Sequence, residues 1–445
     1  MNLKSTLLFA PVVLGGFLET AEAVIAVQDH AMFEGSFMDA VYGPLVNTPE
    51  VLETKREMVR EGQLSLPVEE DEIERWGAHH SSFYKASSKA LTGQSVKFPA
   101  DDDTSDLNHM SLIGGLVTYG HFPAVDCFNP ENYESLKFDI AFLGAPFDTG
   151  TSYRPGARFG PNGLRQASRR SGSGLTPVRG SSKRSKLRRT DPWSSGLQIV
   201  DCGDVPMTPF DNRVALNQLY RGQRALHSHS ASNSTHHTKP RVVSLGGDHT
   251  ITLMALRSAY ETYGPLSVVH FDSHIDTWDP KVLGGAVSHY AGVNHGTFLH
   301  YAAEAGYVNK SSSMHAGIRA PYIAETDPQH DEDCGFTMIT ARDMDYLGPL
   351  GIAARIKERV GTNPVYITLD IDVLDPAYAP GTGTAEVGGW TTRELVTVLD
   401  ALEGIHLVGA DVVEVSPPFD TNTELTSLAA VQMIDSFLSL MVVSD

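Results

Sequence analysis

Short apolar runs rich in valine, isoleucine and leucine recur along this chain from Lys137 onward, and stretches with helical spacing of apolar residues lie between them. Such runs, bounded by turn residues, read as buried strands. They place strands at Phe138–Gly144, Leu197–Asp201, Arg241–Leu245, Val268–Phe271, His315–Ile318, Phe336–Ile339, Val365–Leu369 and Leu407–Val413. Helices are predicted over Asn162–Arg170, Val214–His227, His249–Gly264, Leu350–Val360, Thr392–Leu402 and Leu425–Leu440. The alternation argues for one large α/β domain, a three-layer αβα arrangement with a mostly parallel sheet. No internal repeat interrupts it.

The first quarter of the chain follows a different pattern. Lys4, an apolar run from Leu7 to Leu18, and Ala21–Glu22–Ala23 have the layout of a secretory signal peptide cleaved after Ala23. A secreted protein is therefore expected. The run is short for a membrane span, and no other long uncharged apolar stretch is expected downstream. Residues 24–110 are polar, poorly periodic and locally acidic, and read as an extension ahead of a catalytic domain at 111–445. A glycine- and serine-rich insert, Ser171–Arg189, carries several arginines and lysines and reads as a solvated loop. Cys127, Cys202 and Cys334 are too few for a disulfide scaffold, and one bridge or a free buried thiol are both open. The net charge of −20 argues against nucleic acid or an anionic membrane as partner and suits a cationic small molecule.

Three strand exits carry the chemistry. Val268–Phe271 runs into Asp272, His274 and Asp276, which share one side if the chain stays extended. Crowded carboxylates and an imidazole beside an apolar wall call for a cation. Val365–Leu369 runs into Asp370 and Asp372, again two apart. Arg241–Leu245 leads through Gly246–Gly247 to Asp248–His249, where the glycines allow a tight turn. An all-nitrogen-and-oxygen donor set suits a pair of hard or borderline divalent ions such as Mn²⁺ better than structural zinc.

Gly246–Gly247–Asp248–His249, Asp272–Ser273–His274–Ile275–Asp276 and Asp370–Ile371–Asp372–Val373–Leu374–Asp375–Pro376 resemble, in this order, the signature motifs of the ureohydrolases, the arginase and agmatinase family. Ala379–Pro380–Gly381–Thr382–Gly383–Thr384 is similar to the agmatinase branch. The resemblance implies the ureohydrolase fold and two Mn²⁺ ions per chain. Asp272 and Asp370 would bridge them, His249 and Asp276 would complete one shell, and His274 and Asp372 the other. Ser273 stands where the family often has alanine; on an extended strand it faces away and is expected to be tolerated. His295 matches the family's active-site histidine and would shuttle the proton to the leaving amine. Asp276 would orient the nucleophile that two ions draw from water at neutral pH. Glu414, after the last strand, matches the carboxylate that grips the guanidinium.

Arginases carry polar residues after the Asp-x-His-x-Asp motif that hold an amino-acid head group, and Thr277–Trp278–Asp279–Pro280 lacks that pattern. The expected reaction is hydrolysis of agmatine to putrescine and urea, with 4-guanidinobutyrate as the alternative substrate. A non-catalytic secreted binding protein on the same scaffold is the alternative from another class. A homo-oligomer is expected.

Overall fold

The computed structural model describes residues 116–132, 135–173, 191–233, 237–285, 288 and 290–443; the leader, the extension and residues 174–189 of the basic insert lie outside them. Among the described residues the strands are β1 (Ile140–Gly144), β2 (Ile199–Asp204), β3 (Arg241–Leu245), β4 (Ser267–Phe271), β5 (Ser313–Ile318), β6 (Phe336–Thr340), β7 (Pro364–Asp370) and β8 (His406–Val413). They form one sheet in the order β2-β1-β3-β8-β7-β4-β5-β6, and every neighbouring pair is parallel. β1, β3, β4 and β5 are buried at every position, as a parallel sheet covered on both faces requires.

The covering helices are α1 (Gly160–Ala167), α2 (Asn212–Ser228), α3 (Thr252–Tyr263), α4 (Phe298–Glu304), α5 (Asp327–Cys334), α6 (Asp343–Val360), α7 (Thr392–Ala401) and α8 (Leu425–Val443). α2 to α5 pack in succession as one layer, and α6, α7, α8 and α1 as the other. Local signals set several boundaries. Asp211 caps α2 through the Val214 amide at 2.9 Å, and Thr391 and Glu394 form a reciprocal capping box on α7.

The departures from the sequence reading have physical causes. α4 spans only seven residues, and α5 reads Asp-Pro-Gln-His-Asp-Glu-Asp-Cys, with no apolar stripe to mark it. α6 starts earlier than predicted because a first helical piece runs up to Gly348 (φ 61°, ψ 171°) and a second follows it directly, with Pro349 at its start. α8 is long and apolar enough to cross a membrane, although Asp435 interrupts its apolar run, and most of it is buried inside the domain. It packs on α1, α7 and β8 as a core helix. Cys127 and Cys202 form a disulfide across a sequence separation of 75 residues, while Cys334 is free and buried.

Candidate active site

Four adjacent strands, β3, β8, β7 and β4, release their chains at the same edge of the sheet. Crevices beyond the carboxyl ends of parallel strands are where such sheets bind ligands. β3 leads to His249, β4 to Asp272, β7 ends on Asp370 and β8 leads to Glu414. A side chain at Gly247 would collide with the Phe147 carbonyl, which explains the glycine at this crossing.

The way Asp272, His274 and Asp276 converge differs from the predicted alternation. β4 ends at Phe271, and the chain then bends until Asp276 adopts a left-handed conformation (φ 53°) that a non-glycine residue rarely takes. Asp370 and Asp372 are not on one strand face either. Asp370 caps a short 3₁₀ turn, Ile371–Val373, accepting the Asp372 amide at 2.8 Å. The predicted residues meet, through turns rather than pleats.

The donor atoms form two overlapping groups, His249 with His270, Asp272 and Asp276, and Asp272 with His274 and Asp372. Asp272 belongs to both. His249 Nδ1 lies 3.1 Å from Asp272 Oδ2, 3.1 Å from Asp276 Oδ2 and 3.4 Å from Asp370 Oδ2. His274 Nδ1 lies 3.1 Å from Asp372 Oδ2 and 3.4 Å from Asp272 Oδ1. All are buried except His274, which is partly open to solvent.

Burial and charge crowding are severe. Burial, then Asp372 and Asp272, push Asp370 well above the ordinary carboxylate range. Burial and Asp272 push Asp276 up to about 6. Burial also opposes charge on Asp272, but His270, His249 and His274 outweigh it and hold its pKa well down.

The hydrogen-bond network shows what would relieve this crowding. Thr368 Oγ1 donates to Asp411 Oδ1 at 2.6 Å, so it accepts from His249 Nε2 at 2.8 Å and turns His249 Nδ1 toward the carboxylates, which hold the ring's pKa well up against the effect of burial. His270 repeats the arrangement. Asp331 accepts from His315 Nε2 at 2.8 Å, and His315 Nδ1 meets His270 Nδ1 at 2.7 Å. His270 Nε2 is thereby directed at Asp272 Oδ2, 2.9 Å away. Burial holds His270 down to about 3, which keeps it neutral. His249 Nδ1, His270 Nε2 and Asp272 Oδ2 are three buried atoms without a hydrogen-bond partner, aimed at one another. A cation among them satisfies all three. The site therefore fits divalent metal, and its hard donors fit the hard-to-borderline class.

His295 and Glu414 adjoin this cluster. Glu414 is buried in a left-handed conformation (φ 59°), its amide held by Gly247 O at 2.8 Å. Its Oε1 accepts from the His249 amide at 3.0 Å and from His295 Nδ1 at 3.0 Å. The other face of His295 meets Ser152: the Ser152 amide donates to Nε2 at 3.0 Å, and the hydroxyl lies 2.8 Å from the same atom. Burial disfavours charge on His295, but Glu414 and then Asp276 outweigh it and raise its pKa to about 9. The amide directed at Nε2 opposes a proton there, so the net rise reflects Glu414 rather than a free ring. A methyl group at Gly383 would lie 2.7 Å from Arg154 O and 3.7 Å from Glu414 Oε2, so this glycine keeps space beside the second carboxylate oxygen.

Three contributors escaped the sequence reading. His270 lies two residues before Asp272, where the His-x-Asp-x-His-x-Asp alternation could have signalled it. Ser273 does not face away: its hydroxyl donates to Asp372 Oδ1 at 2.7 Å and its amide to the same oxygen at 3.1 Å. Arg319, after β5, carries no local signal. Its guanidinium donates to the carbonyls of Asp372, Leu374 and Glu386 at 2.6, 3.2 and 2.8 Å and to those of Gly317 and Val373 at 3.2 Å, pinning the Asp370–Leu374 turn.

Known proteins resemble this chain in sequence and in fold. The family model described as "Arginase family" matches residues 138–439. "Putative agmatinase 1" of Schizosaccharomyces pombe is 46% identical over 376 residues, which are 82% of this chain and 91% of that protein. The guanidinobutyrase of Pseudomonas aeruginosa is 33% identical over 334 residues, 75% of this chain and 95% of its own. The solved structure of proclavaminate amidino hydrolase from Streptomyces clavuligerus superposes with a TM-score of 0.64 at 31% identity, covering 76% of this chain and all (100%) of that one. Sequence, fold and metal-binding cluster together place the chain in the arginase family, as an enzyme of the ureohydrolase type.

Proposed function

We propose that this enzyme hydrolyses agmatine to putrescine and urea, using two Mn²⁺ ions held by His249, Asp272, His274, Asp276, Asp370 and Asp372. Bound there, the ions would neutralise the crowded carboxylates and make water a strong nucleophile at neutral pH. Glu414 would offer Oε2 to the guanidinium while Oε1 stays fixed by His249 and His295. His295 would hold the proton required by the leaving amine, with Glu414 sustaining its basicity.

The observation that carries agmatine over arginine is the state of the segment after Asp276. Thr277 Oγ1 donates to Asp331 Oδ1 at 2.6 Å, and Trp278 Nε1 donates to Asp327 Oδ2 at 2.8 Å. Both polar groups are committed to α5 and neither is free to hold an amino-acid head group. Agmatine is expected to exceed arginine in kcat/KM by at least ~100-fold, about 2.7 kcal/mol of transition-state binding. Steady-state urea release on agmatine, 4-guanidinobutyrate and arginine decides it; arginine as the best substrate would reject the assignment. One feature favours the guanidino acid as a second reading. Arg154, whose carbonyl borders the space beside Glu414, lays its guanidinium over Tyr153 and Phe419 at 4.9 and 5.8 Å, where it could meet a carboxylate.

We also infer passage through the secretory pathway, from the Met1–Ala23 pattern. The Cys127–Cys202 disulfide supports it, since such bonds persist in oxidising compartments. Sequencing the mature protein is expected to give Val24 as its first residue. A cytosolic protein retaining Met1 would overturn this inference.

A further inference from the structure

A second group of metal-binding side chains lies outside the carboxylate cluster, where α4 meets α5. His300 on α4 and His330 and Cys334 on α5 bring three ligand atoms within 4.8 Å of one another. His330 and Cys334 are four residues apart, so they share one face of α5. His300 Nδ1 and His330 Nε2 are hydrogen-bonded at 3.0 Å, and their rings stack with centroids 5.1 Å apart. Among the described residues neither ring is paired with a carboxylate. Cys334 is buried while both histidines are half-buried, which leaves a path from solvent.

The spacing suits a tetrahedral ion. Bond lengths of about 2.0–2.1 Å to nitrogen and about 2.3 Å to sulfur place nitrogen atoms about 3.3 Å apart and nitrogen and sulfur about 3.6 Å apart. The imidazole pair is already close to that separation.

We propose that His300, His330 and Cys334 form a separate metal site for a thiophilic, borderline divalent ion such as Zn²⁺, with the fourth position open to water. The inference does not depend on the agmatinase reading. A thiolate and two imidazoles select a softer ion than the oxygen-rich cluster does, so the two sites would sort metals by donor type. Burial, then His330, lower His300 to about 4, so the ring is neutral and ready to ligate at neutral pH. Burial and Asp331 push the Cys334 thiol up to about 12, so loading the ion would release a proton.

The position gives the site a consequence. The Leu299 amide at the start of α4 donates to Asp276 O at 3.1 Å, and α5 holds Thr277 and Trp278 through Asp331 and Asp327. An ion joining α4 to α5 would clamp the two helices that anchor the segment around Asp276.

The test is a Co²⁺ titration of the full-length protein loaded with Mn²⁺. The chain has three cysteines and two form the disulfide, so thiolate-to-cobalt charge-transfer absorption reports Cys334 alone. Absorption is expected to saturate at one equivalent, to vanish in Cys334→Ser, and to require at least ~10-fold more Co²⁺ in His300→Gln and His330→Gln. An unchanged melting temperature of the ion-free protein in His300→Gln and His330→Gln shows that the fold is intact. No absorption in the native protein would overturn the proposal. So would absorption that survives Cys334→Ser, or that is unchanged by both histidine substitutions.

Discussion

Asp272→Ala is expected to lose both catalytic metal ions and at least ~1000-fold of turnover, since two-metal activation is worth several kcal/mol and each 1.36 kcal/mol is tenfold. Asp272 is the residue common to both donor groups, with Oδ2 facing His249 and His270 and Oδ1 facing His274. Removing it would strip a charge from both donor groups at once. Asp370→Asn serves as the control for collapse of the fold. Asp370 is a carboxylate that burial and its neighbours already disfavour as an anion. Neutralising it should leave the metal-free melting temperature unchanged or higher, while the rise in melting temperature on adding Mn²⁺ is largely lost. Metal analysis and melting curves with and without Mn²⁺ measure both effects. Full metal occupancy and turnover in Asp272→Ala would refute the site.

The strands are legible because parallel strands buried on both faces become near-continuous apolar runs, and each functional segment begins where such a run stops. The motifs single out the donor residues that the fold brings together without revealing the path between them. Alternation predicts that Asp272, His274 and Asp276 reach one side along an extended strand, but the chain leaves the sheet after Phe271 and reaches that side by a bend ending at left-handed Asp276. The same assumption of an extended strand turns Ser273 away from the site, when its hydroxyl in fact holds Asp372. His270 is hidden for the opposite reason. It lies within β4, where a histidine reads as one more buried residue, and its role depends on His315, 45 positions further on, and on Asp331, 16 beyond that. Arg319 and the α4–α5 pair depend wholly on tertiary placement. α5 has no apolar stripe, so its helical spacing of His330 and Cys334 cannot be read before the helix itself is known.

Glu414→Gln is expected to keep both metals and lower kcat/KM on the guanidino substrate by at least ~100-fold, the size of one charge-assisted pairing in a water-poor site. The substitution preserves shape and leaves an oxygen to accept from the His249 amide, so the metal ligand should stay in place. What it removes is the negative charge beside the guanidinium and beside His295. Glu414 raises the His295 pKa against the effect of burial. Without it that pKa falls, so the protonated ring is lost at lower pH and the high-pH limb of the rate profile should move toward neutrality. This shift separates the functional role from a structural one, because simple loosening of the site would lower the rate at every pH alike. Metal content, kcat, KM and the pH profile are measured on the same preparations. Unchanged kinetics in Glu414→Gln would reject its role at the guanidinium, and a lowered rate with an unmoved alkaline limb would remove its hold on His295.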